Sequence, residues 1–279
     1  MQKMALLAAI LLESSLKWTP STIPMDSSSL HYDYKSIWPP TNVYSGSTVF
    51  THAPPGRGEQ FVPPVFYDWR DGFPQCATEA AIKICRLEDT WACSAVSVLE
   101  DRLCMEAVDG NHTTVALSIP FLQTCVDIAS KFSIMRLWDW LLTNGVATTD
   151  CIGNQFTGTS CPTTCADGYA LRTKRIKAFY NVGHRDPHRI KEALITEGPV
   201  ATEFALYEDF LYYSSGIYHH VAGKLLGYMS TVIVGYGIES DTEYWILRGS
   251  WGSAWGENGY FRHVQQSGNI DDNVLSFRL

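Results

Sequence analysis

Long apolar runs and surplus positive charge are both absent from this chain. The run from Ala5 to Leu12 falls well short of the ~18 consecutive apolar residues that a membrane-spanning helix requires. The 21 Lys and Arg residues are outnumbered by 29 Asp and Glu residues, and the net charge of −8 gives no support for a nucleic-acid partner. Charged residues make up 18% of the chain and hydrophobic residues 46%, which argues against intrinsic disorder. We therefore expect a globular protein with no membrane span and no nucleic-acid partner.

The N-terminus predicts a targeting segment followed by a leader. Lys3 precedes the short apolar run, an order typical of a secretory signal peptide, which we place at residues 1–19. Glu13 leaves the cleavage site undefined, and the alternative is the first helix of a cytosolic protein. Residues 20–62 are rich in Ser, Thr and Pro and have no sustained period, so they predict a loosely structured leader or propeptide.

The eight cysteines predict disulfides and therefore an oxidising compartment. The alternative is a metal site, but Cys161 and Cys165 have no second Cys or His pair at finger spacing, so we expect no metal and no cofactor. With the signal-like start, disulfides indicate a secreted protein or one of a lysosome-like secretory vesicle. The sequon at Asn111 is a possible glycosylation site in such a protein.

The periodicity changes from helical to strand-like along the chain. Asp89 and Thr90 are good N-cap residues and precede a predicted core-facing helix from Trp91 to about Met105. Further segments follow this pattern: helices over 132–142 and 188–195, then strands over 200–206, 230–236, 244–248 and 259–263. A helix-rich half followed by a strand-rich half indicates an α+β protein with two lobes.

Residues 244–261 read YWILRGSWGSAWGENGYF and resemble the C-terminal signature of papain-like cysteine proteases. Residues 66–76 and 91–104 resemble the mature start and the central helix of cathepsin B, a member of that family. The resemblance implies a papain-like fold over residues 63–279. It implies a helical lobe at about 76–175, a strand-rich lobe at about 176–265 and a cleft between them.

The family's catalytic residues are replaced in this register. The resemblance implies a cysteine at the start of the central helix, a histidine and an asparagine, and these positions hold Thr90, Met229 and Gly249. Peptide-bond attack needs a thiolate and an adjacent imidazole, and a methionine cannot act as a base for a threonine hydroxyl. The glutamine that the family places six residues before the nucleophile is also missing, and Glu88 and Asp89 bring negative charge to that region.

The resemblance also implies three disulfide pairs, Cys76 with Cys104, Cys125 with Cys161 and Cys151 with Cys165. It leaves Cys85 and Cys93 unassigned. Either of these is a candidate for a displaced nucleophile, with His219, His220 or His263 as its base, although a cysteine on an apolar helix is more often a core residue or a disulfide partner. Trp251 and Trp255 shape the cleft in the family and also pack its lobe.

These observations predict a pseudopeptidase, a protein that keeps a peptidase fold without its catalytic residues. We expect a monomer that binds a peptide or protein ligand or has a structural role. The alternative is an active cysteine-type endopeptidase that uses a displaced Cys/His pair.

Overall fold

A computed structural model describes residues 18–20, 61–78, 81–106, 115–126, 134–153 and 156–279. The expected signal peptide and leader lie outside these residues, apart from the strand Trp18–Pro20 and residues 61–62, and so does Asn111. That strand spans the boundary expected at residue 19 and pairs with a strand of the second lobe. No helix in the described part of the chain combines the length and apolar character needed to cross a membrane.

The helices lie mainly in the first half. In chain order they are α1 (Trp69–Gly72), α2 (Thr90–Met105), α3 (Ile119–Cys125), α4 (Ile134–Thr143), α5 (Thr149–Ile152) and α6 (Pro187–Glu197). The three predicted helices correspond to α2, α4 and α6, while the shorter α3 and α5 were not predicted. Thr90 is the first residue of α2 rather than a cap outside it. Asp89 occupies the N-cap position but makes no side-chain capping hydrogen bond.

The strands form one large mixed sheet and one small one. They are β1 (Trp18–Pro20), β2 (Tyr67–Asp68), β3 (Val146–Ala147), β4 (Thr173–Lys174), β5 (Ala178–Asn181), β6 (Val200–Tyr207), β7 (Tyr213–Tyr218), β8 (Leu225–Glu239), β9 (Thr242–Arg248), β10 (Tyr260–Val264) and β11 (Leu275–Arg278). The large sheet runs β1-β7-β10-β9-β8-β6-β11-β5, with β2 paired to β8, and β3 pairs with β4. The β7–β10 pair is parallel and the others are antiparallel. The large sheet thus includes β11, which lies beyond residue 265, the approximate end expected for the strand-rich lobe.

Two large apolar clusters and a small third one around Trp69 build the core. One joins the buried face of α2 to α4 and to one face of the sheet, and it contains Leu99, Trp138 and Val232. The other lies within the strand-rich part, where Phe204 and Trp245 are fully buried. Because side chains alternate across a strand, β6 and β8 each contribute to both clusters. The sheet therefore separates a helical layer from a second core of its own, an α+β arrangement as predicted.

Two buried charged residues on α2 connect it to the sheet. The Asp101 carboxylate accepts hydrogen bonds from both terminal nitrogens of Arg248 on β9, at 3.0 and 2.5 Å. Arg102 donates to the carbonyls of Gly198, Pro199 and Phe277. Burial lowers the pKa of Arg102 to about 10, so it is still charged at neutral pH. Burial acts to lower the pKa of Arg248 as well, but the Asp101 carboxylate outweighs it and raises that pKa above the usual value.

Removing one partner of this pair should strongly destabilise the fold. Asp101→Ala leaves the Arg248 guanidinium buried without its counter-charge, and we expect a loss of about 3–5 kcal/mol in the free energy of unfolding. Urea unfolding followed by circular dichroism measures it. Asp272→Ala is the control, since it breaks an ion pair with the exposed Arg185 and should cost about 1 kcal/mol or less. Equal losses in the two variants would contradict the structural role of the Asp101–Arg248 pair.

Candidate functional site

The structure brings the first two implied catalytic positions together at the start of α2. Thr90 is buried there, and its hydroxyl donates to the Leu87 carbonyl at 3.0 Å. The backbone N–H of Ser230, the residue after Met229, donates to the same Thr90 Oγ1 at 3.3 Å. The Thr90 hydroxyl is thus engaged as both donor and acceptor, and it holds the helix start against β8.

Met229 is fully buried in the strand-rich core. It lies opposite Phe204 in the β6–β8 ladder and belongs to the apolar cluster that also contains Leu87. A thioether has no proton to exchange near neutral pH and is at most a weak acceptor. The side chain at the implied histidine position therefore contributes packing and no acid–base chemistry.

Gly249 leaves no room for a side chain. It directly follows β9, and its N–H donates to the Gly259 carbonyl at 2.8 Å. A Cβ atom placed on Gly249 would lie 2.8 Å from Cζ3 of Trp255, closer than real Cβ contacts come. Trp255 in turn packs edge-on against Trp251, with ring centroids 4.7 Å apart. Both tryptophans also contact the Phe210 ring, so they contribute to the packing of the strand-rich lobe.

The segment before α2 forms backbone hydrogen bonds with the residues that follow Gly249. The Cys85 N–H donates to the Ser250 carbonyl at 2.8 Å, and the Gly252 N–H donates to the Lys83 carbonyl at 3.1 Å. Between them Ile84 is 83% exposed, at the position that the resemblance implies for the family's glutamine. An isoleucine side chain offers no hydrogen-bond donor to a developing oxyanion.

The negative charges in front of α2 are paired. Arg86 forms ion pairs with Glu88 at 3.2 Å and with Asp89 at 2.9 Å. The Arg86 side chain is 69% exposed, so these pairs are screened by solvent, and one guanidinium against two carboxylates leaves the region in front of α2 with a net negative charge.

All eight cysteines are described, and all are in disulfides. The structure joins Cys85 to Cys93, the two that the resemblance left unassigned. The remaining six form the three implied pairs, Cys76–Cys104, Cys125–Cys161 and Cys151–Cys165. In this state neither candidate for a displaced nucleophile carries a thiol, so neither can form the thiolate that attacks a peptide.

The candidate bases have other partners. His263 on β10 is buried between Phe204 and Tyr218, and burial lowers its pKa to about 4, so it is neutral near pH 7. His220 stacks on the ring of Tyr207, and its Nδ1 lies 3.2 Å from the Asp209 carboxylate. His219, which precedes it, is half-buried.

A carboxyl group that the sequence analysis missed, that of Glu203, is linked to Thr90 through Ser230, which hydrogen-bonds to both. Glu203 faces Ser230 in the β6–β8 ladder, and the Ser230 hydroxyl donates to Glu203 Oε1 at 2.8 Å. The residue as a whole is half-buried, but its Oε2 atom is buried and has no hydrogen-bond partner among the described residues. A small cavity of about 10 Å³, lined by Ser94 and Trp138 among others, adjoins it and has room for about one water molecule.

Burial raises the pKa of the Glu203 carboxyl from its ordinary 4.5 to about 7, and the Ser230 hydrogen bond offsets only part of this effect. The sequence signal was a lone carboxylate in the otherwise uncharged strand Val200–Tyr207. Such a residue is a candidate for function or for pH-dependent stability.

Glu203 should make the protein less stable as the pH rises. Its folded-state pKa of about 7 lies above the ordinary 4.5, so between these values the folded chain keeps a proton that the unfolded chain releases. The free energy of unfolding should therefore fall across this range, by at most about 3 kcal/mol. Glu203→Gln should make this fall shallower, as measured by urea unfolding at a series of pH values, and should leave the part that comes from Asp271, whose pKa burial raises to about 6. Glu106→Gln, at an exposed carboxyl, is the control and should keep it; a Glu203→Gln profile parallel to that of the parent would contradict the assignment.

Comparisons with known proteins agree with this architecture. The family model described as papain family cysteine protease matches residues 63–276. Cathepsin B-like CP3 of Giardia intestinalis is 34% identical over 223 residues, which cover 76% of this chain and 73% of that protein. Cathepsin B-like cysteine proteinase 3 of Caenorhabditis elegans is 30% identical over 257 residues, which cover 79% of this chain and 68% of that protein.

Among solved structures, procathepsin B S9 from Trypanosoma congolense superimposes with a TM-score of 0.78. It covers 98% of this chain and 97% of its own, at 23% sequence identity, and so supports the fold. Together with the family match over most of the chain, these similarities establish that the protein belongs to the papain family of cysteine proteases and has a cathepsin B-like fold.

Proposed function

We propose that this papain-family chain is a catalytically inactive, cathepsin B-like protein that acts by binding a peptide or protein ligand or in a structural role. The observation that carries the proposal is the joint state of the three implied catalytic positions. Thr90 is tied to two backbone groups, Met229 is buried among apolar side chains, and Gly249 lies under the Trp255 ring.

The chemical basis is that the implied catalytic positions hold no thiol, and no base that could activate the Thr90 hydroxyl as a nucleophile. A hydroxyl needs an adjacent general base to become a nucleophile, and the methionine at the implied histidine position supplies none. Loss of a catalytic triad leaves at best about 10³–10⁴-fold acceleration over water, most of it from the oxyanion hole and substrate binding. Ile84, at the glutamine position, further weakens that remainder.

The proposal extends to the compartment and to the N-terminus. Four disulfides in one chain are typical of a protein that folds in an oxidising environment, which supports a secreted or lysosome-like vesicular location. Residues 1–19 are proposed as a signal peptide, residues 20–62 as a leader and Asn111 as a glycosylation site. The proposed state is a monomer.

Labelling with an active-site probe separates this proposal from the displaced Cys/His alternative. With an epoxide or vinyl-sulfone probe for reactive thiols, we expect no adduct and no turnover of dipeptide amide substrates, because Cys85 and Cys93 are in a disulfide. Mass spectrometry before and after mild reduction is the measurement, and Cys85→Ser/Cys93→Ser is the control variant. An adduct on Cys85 or Cys93 that peptide substrate prevents, with turnover, would favour an active endopeptidase.

Restoring single residues tests the register of the catalytic positions. Thr90→Cys alone should give little activity on dipeptide amides, because the base is still missing. Thr90→Cys/Met229→His should exceed it in kcat/KM by about 10²-fold, the lower range for a positioned general base. Ser94→Cys/Met229→His, with the thiol one helical turn further along α2, is the matched control and should give no gain. Rates typical of active cysteine proteases from Thr90→Cys alone would show the register to be wrong.

A further inference from the structure

Two residues that line the cavity beside Glu203 carry buried polar atoms with no hydrogen-bond partner among the described residues. One atom is Glu203 Oε2, an acceptor on β6, and the other is the indole nitrogen Nε1 of Trp138, a donor on α4. A buried polar group without a partner costs free energy, and native proteins satisfy nearly all such groups with protein atoms or ordered water. A donor and an acceptor on residues that border the same small space indicate a molecule that bonds to both.

The size of the cavity limits what it can hold. Its volume is about 10 Å³, close to the ~10–15 Å³ that one water molecule needs. An organic group would not fit. Cavities that stay dry are lined by apolar atoms throughout, whereas this one has both polar and apolar walls.

Ser94 on α2 supplies a third polar group at the same cavity. Its hydroxyl donates to the Trp91 carbonyl at 3.2 Å, and its oxygen lone pairs can still accept a hydrogen bond. One water molecule can therefore accept from the Trp138 N–H and donate to Glu203 Oε2 and to Ser94 Oγ. Three hydrogen bonds are typical of a buried water.

The cavity lies where the helical layer meets the sheet, with walls from α2, α4, β6, β8 and β11. The side chains of Trp138 and Glu203 form no direct hydrogen bond across it. A molecule held there connects α4 with β6. Ser230 extends the connection to the start of α2, because it hydrogen-bonds to both Glu203 and Thr90.

We propose that this cavity binds one water molecule, which accepts a hydrogen bond from the Trp138 indole and donates one to Glu203 Oε2. The water bridges the helical layer and the sheet, and it stabilises the ionised form of Glu203. Water-mediated hydrogen bonds of this kind are nearly as favourable in enthalpy as direct ones. The proposal does not depend on whether the chain cleaves peptides.

The surroundings of Glu203 leave such a water with a clear role. The residues that α2, α4, β8 and β11 contribute to the cavity carry no charge. Within the described part of the chain, burial raises the pKa of Glu203 and the Ser230 hydrogen bond lowers it, with no contribution from a charged side chain. Tyr228 on β8 is a titratable neighbour, and its pKa is raised by burial and, to a smaller extent, by Tyr207, Asp272 and Glu203. Hydrogen bonds are therefore what stabilises the Glu203 carboxylate.

The first test detects the water directly in the full protein. With ¹⁵N-labelled tryptophan, we expect a nuclear Overhauser effect between water and the indole proton of Trp138, with the sign of a long-lived complex. Trp245 is the control, because its fully buried indole N–H donates to the Asp271 carboxylate and should show no such effect. A crystal structure should show an electron-density peak within about 3.2 Å of both Trp138 Nε1 and Glu203 Oε2.

The second test removes the donor. Trp138→Phe should raise the pKa of Glu203 by about one pH unit, since a hydrogen bond to a charged group is worth about that much. A ¹³C NMR titration of the Glu203 carboxyl measures it. The control is Trp140→Phe, on the same helix, whose indole donates to the Gly145 carbonyl at 2.9 Å, and it should leave the pKa unchanged. Unfolding midpoints of both variants confirm that folded protein is compared.

The two tests can fail separately. Absence of both the Overhauser effect and the density peak would overturn the water site, even if Trp138→Phe does not fold. A bound water together with an unchanged or lowered pKa of Glu203 in Trp138→Phe would overturn its role in stabilising the carboxylate. Equal rises in Trp138→Phe and Trp140→Phe would also overturn that role.

Discussion

The buried pair of Asp101 and Arg248 is the constraint on which the site geometry depends. It joins α2 to β9 where both residues are almost completely removed from water. Asp101 lies eleven residues along the helix that begins at Thr90, and Arg248 immediately precedes Gly249. A charge pair at this depth is tolerated only with close, well-directed hydrogen bonds, so the helix and the strand cannot slide past each other. The relation of the implied catalytic positions is therefore set by a contact that takes no part in any reaction.

Near this ion pair, two of the implied catalytic positions take part in close packing. The Trp255 ring lies where a side chain at position 249 would have to go, and Met229 adds its thioether to the strand-rich core. The Cys85–Cys93 disulfide and the hydrogen bonds between residues 83–85 and 250–252 fix the approach to α2. These interactions stabilise the start of α2 and its contact with the strand-rich lobe. Glu203 is the exception, since its buried carboxyl is costly to ionise and is linked to Thr90 through Ser230.

Much of the fold could be predicted from the sequence, but its shortest helices could not. The periodic segments predicted α2, α4 and α6, and the Trp- and Gly-rich segment from Tyr244 to Phe261 indicated the family. The short helices α3 and α5 were missed, because helices of four to seven residues span at most about two turns and show no clear 3.6-residue period.

By itself, the sequence determined the α+β class and the family, and it predicted which residues occupy the implied catalytic positions, because these depend on residue types and their spacing along the chain. Only the tertiary structure decided how those positions are used. Residues far apart in sequence, such as Thr90 and Ser230 or Gly249 and Trp255, interact through distances that no local pattern records. The same is true of the Cys85–Cys93 pairing and of the burial that raises the pKa of Glu203, since both depend on which surfaces the folded chain brings together and removes from water.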